Sequence, residues 1–204
     1  MDKSIKLRIF CTGVGGQGTL LASRVLGEAA MTAGYSVLVS ETHGMAQRGG
    51  VVESAVIIGA LASPIISPGE ADIVLSFEAL EAFRALSRCH PQTLVITNTN
   101  TIIPQPVAIG QAHYPPVDYL LNLLAQQVGD LFAFDAESLA QRAGNPRAVN
   151  MVLLGALARS GRLPFPKEVF VQTIADRTPA KYVETNMQTF RLGQEAAARQ
   201  SKAP

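Results

Sequence analysis

The chain has 204 residues, 48% of them hydrophobic and 16% charged, which suits one buried core and leaves apolar surface for a partner. Lys and Arg total 17 against 16 Asp and Glu, so there is no basic excess to argue for nucleic acid. No apolar run approaches the ~20 residues of a membrane helix.

Met1-Asp2-Lys3-Ser4 leads straight into a strand pattern and lacks the apolar core of a signal peptide, so a cytoplasmic protein without a membrane role is expected. Ile5–Cys11 is continuously apolar, as a buried parallel strand requires. Gly13-Val14-Gly15-Gly16-Gln17-Gly18 then interrupts the chain before a helix over Thr19–Ala33, which Gly34 ends. Ser36–Ser40 reads as the second strand, Glu41–Gly50 as an irregular loop and Val51–Ile58 as a strand. Beyond Pro64 and Pro68 come a strand over Ala71–Phe77, a helix over Glu78–Ser87, and strands over Thr93–Thr97 and Pro106–Gln111. The second half is helical: Asp118–Gln126, Ala136–Ala143, Ala148–Arg159, Pro166–Ala175 and Ala180–Ala198, interrupted only by a short strand over Leu131–Phe134. The fold class is therefore α/β: an open, mainly parallel sheet flanked by helices in a Rossmann-like three-layer arrangement, with a helix-rich C-terminal region. No linker divides it, and residues 1–204 read as a single domain.

The glycine turn carries the first chemistry. Glycines let backbone approach a ligand closely, and the free amides opening the next helix favour an anion. Gly13, Gly15 and Gly18 have the spacing of a dinucleotide fingerprint, and Glu41, 23 residues beyond Gly18, stands where an acid would hold ribose hydroxyls. A free-standing NAD-dependent dehydrogenase and a non-catalytic nucleotide-binding module are therefore both open readings. A Walker-type Gly-Lys-Ser/Thr ending is lacking. The second loop, Glu41-Thr42-His43-Gly44-Met45-Ala46-Gln47-Arg48-Gly49-Gly50, packs an acid, an imidazole and a guanidinium among glycines at the same sheet edge. Arg48 offers a planar fork to a carboxylate or phosphate, and His43 is the candidate for moving a proton. Cys11 and Cys89 are too few for an iron–sulfur cluster and lack zinc spacing, so no metal site is expected; both read as small buried hydrophobes, with a reactive role conceivable for Cys11 beside the turn. Glu78, Glu81 and Asp72 read as helix-end or turn residues, Asn150 as a buried, hydrogen-bonded amide or interface contact, and Thr97–Thr101 as a solvated loop.

The segments Gly-Val-Gly-Gly-Gln-Gly at 13–18 and Glu-Thr-His-Gly-Met-Ala-Gln-Arg-Gly-Gly at 41–50 resemble those of the beta subunits of indolepyruvate ferredoxin oxidoreductases. More broadly they are similar to the gamma subunit or domain of the 2-oxoacid:ferredoxin oxidoreductases. Gly144-Asn145, the run Asn150–Ala156, and Lys181, Val183–Asn186 and Phe190–Gly193 extend the resemblance along the chain. The resemblance implies a subunit, inactive alone, of an enzyme that oxidatively decarboxylates a 2-oxoacid, here an indolepyruvate or another arylpyruvate. Thiamine diphosphate with Mg and the [4Fe-4S] clusters would sit on a large alpha partner. Coenzyme A would take the acyl group, and ferredoxin would take the electrons through the complex. Gly13, Gly15, Gly16, Gln17, Gly18, Glu41, Arg48 and Gly49 are the residues expected at the cofactor or co-substrate, with His43 the catalytic candidate.

Overall fold

The computed structural model describes residues 5–43 and 50–200, His43 by its backbone alone. β1, Lys6–Val14, is buried from Ile9 onward. It leads through the glycine turn into α1, Thr19–Thr32, whose Ala22, Val25, Leu26 and Ala29 recur at three- and four-residue steps on its buried face. There follow β2 (Val37–His43), β3 (Val51–Gly59), β4 (Ala71–Ser76), α2 (Ala79–Arg84) with a 3-10 turn over Ala85–Arg88, and β5 (Cys89–Asn98). α3 (Gln105–Ala108), α4 (Val117–Ala125) and β6 (Asp130–Phe134) come next. The helices α5 (Ala136–Arg142), α6 (Val149–Arg159), α7 (Glu168–Arg177) and α8 (Ala180–Gln200) complete the described chain.

The six strands order as β2-β3-β1-β4-β5-β6. β1, β4, β5 and β6 are mutually parallel, whereas β3 lies antiparallel to both β1 and β2. β2 thus runs in the direction of β1, and both end at the same sheet edge with one reversed strand between them. Side chains alternate across the sheet: Ile9 and Cys11 join the cluster under α1, α6, α7 and α8, while Phe10 joins the cluster under α2 and α4. The sheet is mixed but mostly parallel and flanked by helices, as the pattern implies.

The larger helical layer depends on a bare seam between α6 and α8. A Cβ on Gly155 would lie 2.0 Å from the Phe190 carbonyl oxygen, and one on Gly193 would lie 1.9 Å from that of Val152. Only glycine permits this approach at either position.

Three readings are corrected. Pro106–Gln111 is not a strand: Pro104 caps α3, Pro106 sits in its first turn where a missing N–H costs nothing, and Gly110 at φ 75° ends the segment. Asp72 is not a turn residue but lies within β4, where its Oδ2 accepts the Arg8 backbone N–H at 2.7 Å. Thr97 and Asn98 are not solvated loop but the buried end of β5.

Candidate functional site

The sheet's chain direction forks between β1 and β4. From β1 the chain passes through α1 to the β2–β3 side, and from β4 through α2 to β5. In open α/β sheets such a fork leaves a crevice at the C-terminal strand edge. Gly13–Gly18 lines one side of it and Phe77–Glu78 the other.

The turn is held from within. Gln17 Oε1 accepts the Val14 N–H at 2.7 Å, and Gln17 Nε2 donates to the Phe77 carbonyl at 2.9 Å. Asn98 Nδ2 donates to the same carbonyl at 3.2 Å, while Asn98 Oδ1 accepts the Ala136 N–H at 2.9 Å. One carbonyl oxygen thereby ties the ends of β1, β4 and β5. Gly13 needs its space: a Cβ there would meet Phe77 Cβ and Thr19 Oγ1 at 2.8 Å. Gly16 and Gly18 take left-handed backbone at φ 101° and 90°, and Gly18 caps α1 without a side chain. The first amides of a 14-residue helix are therefore left to face the turn, with the positive end of its dipole behind them. Thr19 Oγ1 is buried there and lacks a hydrogen-bond partner among the described residues.

The second loop meets this turn directly: the Gly15 N–H donates to the Gly50 carbonyl at 2.8 Å. The backbone of His43 closes β2 opposite Val52. The side chain of His43, with Arg48 and Gly49, lies outside the described residues. Glu41 is occupied, its carboxylate meeting Arg24 Nε at 3.2 Å and Nη2 at 3.4 Å. It also stands two strand spacings, about 10 Å, from β1 rather than one, because β3 intervenes. A dinucleotide enzyme needs that acid on the strand next to the turn, so this geometry does not favour the dehydrogenase reading.

Burial pushes the Cys11 thiol up to about 12 and the Cys89 thiol up to about 11, so neither supplies a thiolate near neutrality. Among the described residues no group of three or more His, Cys, Asp and Glu could hold a metal. Sequence reasoning missed the other wall of the crevice. Glu78 caps α2 by accepting the Leu80 and Glu81 amides at 2.7 and 3.1 Å, and its Oε1 also receives the Tyr114 hydroxyl. Burial, then the hydrogen bond and charge of Glu78, hold the Tyr114 phenol well above its ordinary value. An acid at a helix start was visible in the sequence; a tyrosine 36 residues away reaching it was not.

Comparison with known proteins agrees with this architecture. The chain is 42% identical over 190 residues to the indolepyruvate oxidoreductase subunit IorB of Methanothermobacter thermautotrophicus, covering 93% of this chain and 97% of that one. It is 42% identical over 191 residues to the protein of the same name from Thermococcus kodakarensis, covering 93% and 95% of the two chains. The crystal structure of a keto/oxoacid ferredoxin oxidoreductase gamma subunit from Geobacter sulfurreducens superposes with a TM-score of 0.69 at 24% identity, over 95% of this chain and 99% of that one. Residues 8–196 match the family model for pyruvate ferredoxin/flavodoxin oxidoreductase, and the chain belongs to that family.

Proposed function

We propose that this chain is the beta subunit of a cytoplasmic indolepyruvate- or arylpyruvate-oxidising 2-oxoacid:ferredoxin oxidoreductase and supplies the anion-binding wall of a site shared with a large alpha subunit. Thiamine diphosphate with Mg, and [4Fe-4S] clusters, would provide decarboxylation and electron transfer on that partner. The residues described here do not fit either group: a [4Fe-4S] cluster takes about four thiolates, whereas Cys11 and Cys89 are two and lie on different strands, and no group of three or more His, Cys, Asp and Glu among the described residues could hold a metal. An anion fits better. The Gly15 and Gln17 amides are spent on the Gly50 and Val14 carbonyls, so the Gly16 and Gly18 amides and the uncapped start of α1, with its dipole, would neutralise a phosphate of coenzyme A or the carboxylate of the oxoacid. Arg48 would add a bidentate fork, and Gly49 would let the backbone turn to aim it. Gln17 keeps the turn open by satisfying its inward-facing amide. The backbone of His43 closes β2 at this edge, and His43 would be the residue to hold a proton there.

The observation that carries this reading is the Gly15–Gly50 hydrogen bond, which joins the glycine turn to the last residue of the second loop. The test uses the chain assembled with its large subunit. Arg48→Ala should raise the KM for coenzyme A or the oxoacid by about tenfold while the complex still assembles. Unchanged kinetics remove Arg48 from the site, and oxoacid oxidation by this chain alone refutes the shared-site reading.

A further inference from the structure

Beside the glycine turn, α1 and the starts of α6 and α8 enclose a cleft of about 720 Å³, within the ordinary size of a small-molecule site. Its floor is apolar, formed by Leu21 and Val25 of α1, Met151 of α6 and Ile174 of α7. Tyr182, at the start of α8, is 47% exposed and gives one wall an aromatic face.

The polar groups are unequal. Arg24 is neutralised by Glu41 and Arg177 by Glu28, each at 3.2 Å. Asn145 and Asn186 bond one another at 3.5 Å, and Asn186 also reaches Thr178. Two groups remain uncommitted among the described residues. The Arg147 guanidinium, exposed at the mouth, has no carboxylate partner, and the Asn150 side-chain amide, on a residue only 3% exposed, has no hydrogen bond. Asn150 lines the cleft, and its amide atoms are not sealed from it, so both the acceptor and the donor are available to a ligand. Asn150 also touches the start of α1, since a Cβ on Gly18 would lie 3.6 Å from its Cγ.

We propose that this cleft binds an aromatic carboxylate, its carboxylate meeting Arg147 and the Asn150 amide and its ring lying on the apolar floor against Tyr182. Among the lining residues Arg147 is the one cation without a carboxylate partner, with the Lys181 ammonium 4.8 Å over the Tyr182 ring beside it, which matches a monoanion; a nucleotide polyphosphate would want several cations in the lining itself. Met151 and Tyr182 favour a flat ring over an aliphatic chain, through sulfur–aromatic and ring–ring contacts. The assignment is independent of what the glycine turn holds.

The test is fluorescence titration of the assembled complex with 2-naphthoate, with 2-naphthamide as its uncharged counterpart and adenosine 3′,5′-bisphosphate as a polyanion. Arg147→Gln and Asn150→Ala should each weaken 2-naphthoate by about tenfold or abolish one equivalent per chain. 2-Naphthamide should bind weakly and ignore Arg147→Gln, and the bisphosphate should not displace 2-naphthoate. Equal 2-naphthoate binding in wild type and Arg147→Gln, no binding by wild type, or displacement by the bisphosphate would each overturn the assignment. Retained far-ultraviolet circular dichroism and a retained unfolding midpoint in both variants separate loss of the site from loss of the fold.

Discussion

Gln17 is a motif residue whose side chain braces the turn from within. Its side-chain amide is consumed by Val14 and Phe77, and the Gly15 and Gln17 N–H groups by Gly50 and Val14, which leaves those of Gly16 and Gly18 without a partner among the described residues. Gln17→Ala should cost about 1–3 kcal/mol in urea unfolding, chiefly from the orphaned Val14 N–H, because the Phe77 carbonyl keeps Asn98. Gln17→Glu retains the acceptor but brings a negative charge to the turn. It should cost less stability and weaken coenzyme A more, and equal KM values for the two variants would dissociate the turn from anion binding. Glu81 gives a second residue-scale test. Arg84 pairs one carboxylate oxygen at 2.6 Å, and the other is buried without a partner among the described residues. Burial raises the Glu81 pKa above its ordinary 4.5, against the pull of Arg84 and with help from Glu78 and Glu53. With the folded value above the unfolded one, the stability this group contributes is complete below the unfolded pKa and is lost as pH rises through the folded one. Unfolding measured from about pH 4 to pH 8 should show wild type losing stability relative to Glu81→Gln as pH rises. A constant difference between the two would contradict the shift.

At the scale of elements, the α6–α8 seam carries the sharpest expectation. Phe165, Phe170 and Phe190 stack in tilted pairs 5.6–5.8 Å apart beside it, so neither helix has room to slide. Gly155→Ala or Gly193→Ala sets a methyl about 2 Å from a carbonyl oxygen and should destabilise by several kcal/mol, reaching the upper range of single substitutions. Gly16→Ala is the contrast. It has open space around it and only a left-handed backbone to strain, so about 1–3 kcal/mol is expected. Thermal unfolding of the three variants ranks them, and a Gly155→Ala cost no greater than that of Gly16→Ala would refute the seam. Most of these elements were legible in the sequence, because buried strands and amphipathic helices write their periods plainly. The short ones were not. Val107-Ala108-Ile109 reads as strand by composition, yet it lies outside the sheet, and proline placement decides for a helical turn.

Over the whole molecule, the reversal of β3 was hidden in the strand patterns, since alternation carries no direction. The connection length does carry it. Only residues 44–50 separate His43 from Val51, too few for the dozen or more residues a parallel crossover needs. That reversal is why Glu41 stands away from the glycine turn. The glycine turn was legible as a bend between strand and helix from its residue types. The cleft was not, because its walls come from residues 21–25, 147–151, 174 and 182 on four helices, and nothing in a linear pattern says those faces converge. Asn150 lies five positions before Gly155 on one rigid helix, and Gly193 sets where that helix rests. The glycine seam is thus a distance gauge for the amide beside α1. Gly193→Ser, on a residue absent from the cleft, should push α6 outward and loosen 2-naphthoate more than an equally destabilising change elsewhere in the core. Affinity for a small ring would then be set in part by how closely two backbones touch on the far side of the helix.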